Sequence, residues 1–172
     1  PIQLIEKDYH ISRILRALSR SSYESKIVFK GGTSLSKAYQ LIDRFSEDVD
    51  FAVISGDMSG NQVKILLSNL MKEVTMGLTE DKSFSDISKG SKYRKQAFSY
   101  TAHTGFDTSV NPVPARIIVE ISAFANPFPY EKRTIEPFVT TYLKKQKMED
   151  VIEMYHLEPF ELNVLSLRQT LC

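Results

Sequence analysis

Hydrophobic and polar positions repeat along this chain in two periods, one typical of helices and one typical of strands. Apolar residues recur every three or four positions over residues 4–18 and 63–76, which predicts two amphipathic helices. Shorter apolar runs, several with a two-residue repeat, predict strands. The predicted strands cover residues 27–29, 49–53, 97–103, 116–124 and 160–165. This interleaving predicts the α/β (α+β) class, with a mixed, twisted sheet flanked by helices.

The segments between these elements are polar or contain residues that break regular structure. Residues 79–95 are rich in Ser, Lys and Asp, which predicts an exposed loop. Residues 126–137 contain three prolines and are predicted to run over the surface outside the sheet. Residues 138–147 and 148–155 carry short helical patterns.

Composition narrows the class of protein. The chain has 172 residues, 42% hydrophobic and 25% charged, with a net charge of +1, which is typical of one globular domain over residues 1–172. Bulk charge therefore gives no reason to expect nonspecific nucleic-acid binding. Cys172 is the single cysteine, which excludes an intrachain disulfide and a Cys-based zinc site. The sequence has neither a long apolar run nor an N-terminal signal pattern, so we expect a cytoplasmic protein without a membrane partner.

A Gly-Gly turn lies between a predicted strand and a helical apolar pattern over residues 35–42. Gly31 and Gly32 let the backbone approach an anion closely, and the free amides at the start of a helix bind phosphate oxygens. The hydroxyls of Thr33 and Ser34 can add donors. Taken alone, the motif fits a simple tight turn as well as a phosphate site.

Two aspartates open the following predicted strand. Because side chains alternate along a strand, Asp48 and Asp50 point to one face while Val49, Phe51 and Val53 point to the other. Two neighbouring carboxylates repel each other unless a cation lies between them, and Mg²⁺ prefers oxygen ligands together with substrate phosphates. The pair by itself fits a solvent-facing strand edge equally well.

Glu120 is a single acid in the middle of the apolar strand predicted at 116–124. An unpaired charge there is unfavourable, so Glu120 needs a partner. A phosphate-binding helix start, an Asp-x-Asp strand and a third acid together predict a nucleotidyl-transfer site. In such a site the third carboxylate completes the metal site and can help to deprotonate the attacking hydroxyl.

Two motifs carry a resemblance to a known family. Lys-Gly-Gly-Thr-Ser-Leu at residues 30–35 and Arg-Phe-Ser-Glu-Asp-Val-Asp-Phe at residues 44–51 resemble the signature of the AbiEii/AbiGii toxin family, within the DNA polymerase β-like nucleotidyltransferase superfamily. Supporting matches lie at residues 6–9 and 164–171. The resemblance spans nearly the whole chain and is weakest over residues 79–112.

The resemblance implies an activity, cofactors and site residues. It implies a toxin that transfers a nucleoside monophosphate from an NTP to an acceptor hydroxyl with Mg²⁺ or Mn²⁺, with tRNA as the acceptor of some relatives and a cognate antitoxin protein as partner. The implied residues are Gly31, Gly32, Thr33 and Ser34 for the triphosphate, Asp48 and Asp50 for the metal, Glu120 as the third catalytic and metal-binding acid, and Arg44 and Ser46 for phosphate contact and support of the turn.

The sequence departs from the family pattern in three ways. Gly32 stands where many members have a serine, and the gap between Gly32 and Asp48 is longer than in the general superfamily pattern. Family members also continue beyond Thr170 into a helical region with a functional lysine and an acidic motif, whereas this sequence stops at Cys172. We therefore expect an N-terminal catalytic portion that binds nucleotide weakly and turns over poorly. Robust transfer by this chain alone would contradict that expectation.

Two other functions remain compatible with the sequence. One is a small-molecule nucleotidyltransferase of the antibiotic-modifying kind, which differs in the acceptor that becomes labelled. The other is a noncatalytic domain that uses the same fold to bind a nucleotide or a protein, in which the acids need not be required for binding.

Overall fold

A computed structural model describes residues 2–41, 46–103 and 113–170 of the chain. The helices are α1 Ile2–Arg20, α2 Gly31–Lys37, α3 Gly60–Val74, α4 Phe138–Lys145, α5 Glu149–Met154 and α6 Leu167–Thr170, with a 3-10 turn at Glu24–Lys26. The strands are β1 Ile27–Lys30, β2 Asp48–Val53, β3 Thr79–Glu80, β4 Ser88–Lys89, β5 Tyr93–Ser99, β6 Arg116–Ser122, β7 Tyr130–Ile135 and β8 Phe160–Leu165. Within these ranges, each helix is too short or too polar to span a membrane.

The strands form one mixed sheet in the order β3, β5, β6, β2, β1, β8, β7, with β4 paired to β5. The pairs β2–β6 and β1–β8 are parallel, and the other neighbours are antiparallel. The centre of the sheet is therefore the group β6, β2 and β1. The predicted class, a mixed sheet flanked by helices, is confirmed.

One face of the sheet carries the hydrophobic core. Val49, Phe51 and Val53 of β2 are fully buried, as the two-residue repeat predicts. They share a cluster with apolar side chains of α1 and α3, which pack on this face. Asp48 and Asp50 consequently point to the opposite face, where they remain partly exposed, while Ala52 on that face is buried.

Two segments that were predicted to lie outside regular structure contain strands, and the strand predicted at residues 97–103 lies at Tyr93–Ser99. The polar segment 79–95 contains β3, β4 and the start of β5 instead of a continuous loop. Residues 126–137 contain β7, which is an edge strand. The prolines lie before and after β7 and not within it, so no hydrogen bond of the strand is lost to them. The sequence prediction was therefore wrong here, because the three prolines flank β7 and do not prevent a strand from forming.

Helix α2 is fixed by a buried ion pair between α1 and α2. Asp8 and Lys37 are 2% and 5% exposed and form a salt bridge with each other. The second oxygen of Asp8 accepts a hydrogen bond of 2.7 Å from the backbone amide of Phe138, at the start of α4. The residue before it, Pro137, has no side-chain acceptor to cap that helix. Asp8 therefore joins α1, α2 and α4.

Removal of this carboxylate is expected to destabilise the fold. Asp8→Ala should lower the free energy of unfolding by about 3–5 kcal/mol, because Lys37 would keep a buried charge without its partner. Urea denaturation at neutral pH measures the change, and the exposed Asp57→Ala is the matched control, expected within about 0.5 kcal/mol of the wild type. The double variant Asp8→Leu/Lys37→Met should recover much of the loss. Equal stability of Asp8→Ala and Asp57→Ala would contradict the assigned role.

Candidate functional site

The Gly-Gly turn lies directly over the carboxylate of Asp50. Lys30, the last residue of β1, is opposite Asp50 across the β1–β2 ladder. Gly31 follows with φ +78°, and a Cβ added there would overlap Oδ2 of Asp50 and lie 3.0 Å from its Cγ. Both the left-handed conformation and the close approach require glycine. The start of α2 and the aspartates of β2 are therefore adjacent.

The two hydroxyls after the glycines serve the fold. The Thr33 hydroxyl donates a hydrogen bond to the backbone carbonyl of Asp48, and the Ser34 hydroxyl donates one of 2.7 Å to the carbonyl of Gly31. Both side chains are buried. Each hydroxyl has a single proton, so the hydroxyl donors expected from the sequence are already engaged within the protein. If Thr33 and Ser34 contact a phosphate, they therefore do so through their backbone amides.

The amides at the start of α2 remain suited to an anion. The first amides of a helix have no carbonyl partner within the helix, and Lys30 at the N-cap position has no side-chain acceptor for them. Ser46 lies beside this turn, since a Cβ at Gly32 would be 3.7 Å from its Oγ. This position fits the expected support of the turn by Ser46. Arg44 lies outside the described residues.

The three predicted acids lie on one face of two neighbouring strands. β2 and β6 are parallel, with Asp50 opposite Glu120 and Asp48 opposite Ile118. Residues that are opposite each other in such a pair share a face, so Glu120 lies on the same face as both aspartates. The geometry places a row of three carboxylates next to the start of α2.

Crowding of these carboxylates changes their acidity. Burial, followed by the charges of Glu120 and Asp48, raises the pKa of Asp50 to about 6. Burial and then the charge of Glu120 also raise the pKa of Asp48. Burial and the neighbouring carboxylates thus both oppose the ionisation of Asp48 and Asp50. A cation bound here would find a favourable field.

Lys95 of β5 supplies part of the missing positive charge. Its ammonium group lies 3.1 Å from Oε1 of Glu120 and 2.7 Å from Oδ2 of Asp86. These contacts raise the pKa of Lys95 and hold the Glu120 side chain toward β5. Among the described residues, no three His, Cys, Asp or Glu side chains are grouped so as to hold a metal ion. The assignment of Glu120 as a metal ligand therefore stays a prediction.

Sequence reasoning missed Lys95 because β5 was not recognised at that position. Residues 93–96 read Tyr-Arg-Lys-Gln, which hides the strand in a polar run. The signal that could have identified it is the apolar pair Ala97 and Phe98, both buried, which directly follows this polar run. With β5 recognised next to the strand that bears Glu120, Lys95 would have been identified as the partner of Glu120.

The fold has a counterpart among solved structures. The chain is similar to MenT4, the nucleotidyltransferase toxin Rv2826c from Mycobacterium tuberculosis H37Rv, with a TM-score of 0.54 and 18% sequence identity. The similarity covers 98% of this chain and 49% of that chain, so this chain spans about half the length of the matched structure. At this identity the likeness shows the fold alone.

The family follows from the sequence match. The chain belongs to the family described as "Nucleotidyl transferase AbiEii toxin, Type IV TA system", whose model matches residues 13–172. The matched range includes both the Gly-Gly turn and the carboxylate row. None of the curated proteins compared with the chain matches it.

The raised pKa of Asp50 predicts how stability depends on pH. Between the ordinary pKa near 3.8 and the folded value of about 6, the folded state holds a proton that the unfolded state has lost, so the free energy of unfolding should fall as pH rises. Asp50→Asn should reduce this slope and stabilise the protein at pH 7.5 by about 1–3 kcal/mol. Urea denaturation from pH 4 to pH 8 measures both effects. Asp57→Asn is the control, and an unchanged slope in Asp50→Asn would refute the prediction.

Proposed function

We propose that this protein is a metal-dependent nucleotidyltransferase that transfers a nucleoside monophosphate from an NTP to an acceptor hydroxyl, as the toxin component of a toxin-antitoxin system. The observation that supports it most is the contact between Gly31 and Asp50, which brings an anion-binding turn against a row of acids. Phosphates and carboxylates repel each other, so a phosphate bound at the turn next to these acids requires a cation between the two groups.

The triphosphate is held by the start of α2. The backbone amides of Gly31, Gly32 and Thr33 donate hydrogen bonds to the β- and γ-phosphate oxygens. Glycine at both positions lets the phosphate come close to the backbone. The extra space at Gly32, where many members of the family have a serine, leaves this contact to the amide alone.

The aspartates fit a divalent cation shared with the substrate. Mg²⁺ is bound in such sites by one or two carboxylates together with phosphate oxygens, and burial together with the neighbouring acids raises the pKa values of Asp48 and Asp50. Asp48 and Asp50 are thus the residues that would hold Mg²⁺ or Mn²⁺. When bound, the metal would supply Lewis-acid polarisation of the phosphate oxygens.

In this proposal Glu120 receives the proton released in the reaction. The acceptor hydroxyl oxygen forms a bond to the α-phosphorus while the bond from that phosphorus to the bridging oxygen of the β-phosphate breaks, and pyrophosphate leaves. The hydroxyl proton passes to the Glu120 carboxylate. Lys95 orients that carboxylate through the ion pair of 3.1 Å. A role of Glu120 as a third metal ligand requires its side chain to turn from Lys95.

The proposal also covers the acceptor, the partner and the compartment. We propose tRNA as acceptor, a cognate antitoxin protein as the regulating partner, and the cytoplasm as the compartment that supplies NTPs. The family description names a type IV toxin-antitoxin system, which supports an antitoxin partner. A small-molecule acceptor is the alternative outcome of the experiment below.

Transfer of label from α-labelled NTPs tests the proposal. With Mg²⁺ and excess protein over acceptor, label is expected in tRNA, and Asp48→Asn, Asp50→Asn or Glu120→Gln should each reduce the rate by about 100-fold or more. Excess protein keeps slow turnover measurable, and Asp57→Asn is the matched control that should keep the full rate. Label in a hydroxyl-bearing antibiotic instead of tRNA would favour the small-molecule enzyme. Transfer that survives Asp50→Asn would contradict the proposed site.

A further inference from the structure

An aromatic pair, one ring half-buried and the other exposed, adjoins the row of carboxylates. The rings of Tyr93, at the start of β5, and Phe124, just after β6, are stacked with centroids 6.1 Å apart and planes inclined by 23°. Phe124 is 72% exposed. One ring is therefore anchored by the sheet while the other is presented to solvent.

The position of the pair is fixed relative to Glu120. Tyr93 is opposite Ser122 across the β5–β6 ladder, and Lys95 is opposite Glu120 two residues further along. Tyr93, Lys95 and Glu120 therefore share the face that bears the acids. A hydrogen bond of 2.8 Å from the amide of Ala123 to the carbonyl of Lys92 fixes the two chain segments directly beside the aromatic residues.

The surroundings of the pair are charged. Lys92, which is exposed, precedes Tyr93 in the sequence, and Lys95 and Glu120 lie on the same face as Tyr93. A protein partner would need a broad apolar surface, whereas here the apolar surface is a pair of rings between charged groups. A planar ligand that carries phosphate fits this combination, because its ring can stack while the phosphate meets a lysine or a bound cation.

We propose that Tyr93 and Phe124 form a stacking platform for a nucleobase bound beside the carboxylate row. The inference rests on the proposed function, since it takes a nucleotide as the ligand of this face. The base can belong to the NTP or to the acceptor strand, and both present the same planar chemistry to the rings. Phe124 makes the contact with the base, and Tyr93 supports the Phe124 ring from the sheet.

The absence of tryptophan from the sequence gives a direct test. Phe124→Trp introduces a single indole at the platform, and its fluorescence should be quenched when a base stacks on it. The probes are ATP with Mg²⁺, tripolyphosphate with Mg²⁺, and an octaadenylate RNA. Quenching by ATP without quenching by tripolyphosphate identifies the base of the NTP. Quenching by the octaadenylate alone identifies the base of the acceptor.

Binding measurements give the second arm of the test. Phe124→Ala should weaken binding of ATP or of the octaadenylate about tenfold and leave tripolyphosphate binding unchanged, whereas Phe124→Tyr should retain the affinity. Tyr142→Ala, which removes a 60% exposed aromatic residue of α4, is the matched control and should have no effect.

The proposal is overturned if none of the three probes quenches the indole, or if tripolyphosphate quenches as much as ATP. Indole fluorescence reports contact with a base and does not require transfer of label. Absence of quenching together with Asp50-dependent transfer would overturn the platform and leave the proposed function intact. Quenching without Asp50-dependent transfer would support the platform and contradict the proposed function.

Discussion

The close approach of the Gly31 backbone to the Asp50 carboxylate is the constraint on which the rest of the site depends. A side chain at position 31 would overlap Asp50, and the backbone there is left-handed, so glycine alone allows β1 to turn into α2 over this acid. Thr33 then ties the helix to the carbonyl of Asp48. At the other end of α2, Lys37 is held by the buried Asp8. The turn is thus fixed from both sides, and its amides face a defined set of carboxylates.

The same arrangement is electrostatically unfavourable for the protein alone. Three acids share one face, and the pKa of Asp50 rises to about 6 because burial and its neighbours oppose its ionisation. Lys95 offsets part of this repulsion but is shared between Glu120 and Asp86. Sites that bind charged ligands commonly retain such local instability, since the ligand removes it. The carboxylate row therefore lowers stability at neutral pH and favours a cationic ligand.

Patterns within short stretches of sequence predicted those features of the site that are set by residues close together in the sequence. The alternation in β2 was enough to place Asp48 and Asp50 on one face, and the single acid in an apolar strand was enough to single out Glu120. The contacts that were missed join distant residues or lie in atypical strands. Lys95 is in a polar run, β7 is flanked by prolines, and the partner of Asp8 lies on another helix. The apolar residues Ala38 and Tyr39 suggested a longer α2, but the helix ends at Lys37 and the chain turns at Gln40, with φ of 53°. Ala38 and Tyr39 are buried although they lie outside the helix, so their apolar character reflects burial and not a helical period.

The central claim is that the turn and the acids act as one binding site, and a double-mutant cycle tests it most directly. Calorimetry would measure binding of Mg²⁺·NTP by the wild type, Gly31→Ala, Asp50→Asn and the double variant, with Gly60→Ala as the control because a Cβ there meets no atom within 4 Å. Gly31→Ala and Asp50→Asn should each weaken binding at least about tenfold. The double variant should bind only slightly more weakly than the single variant with the lower affinity, since the effects of changes at residues in contact do not add. Additive losses, or binding that survives both changes, would contradict the account.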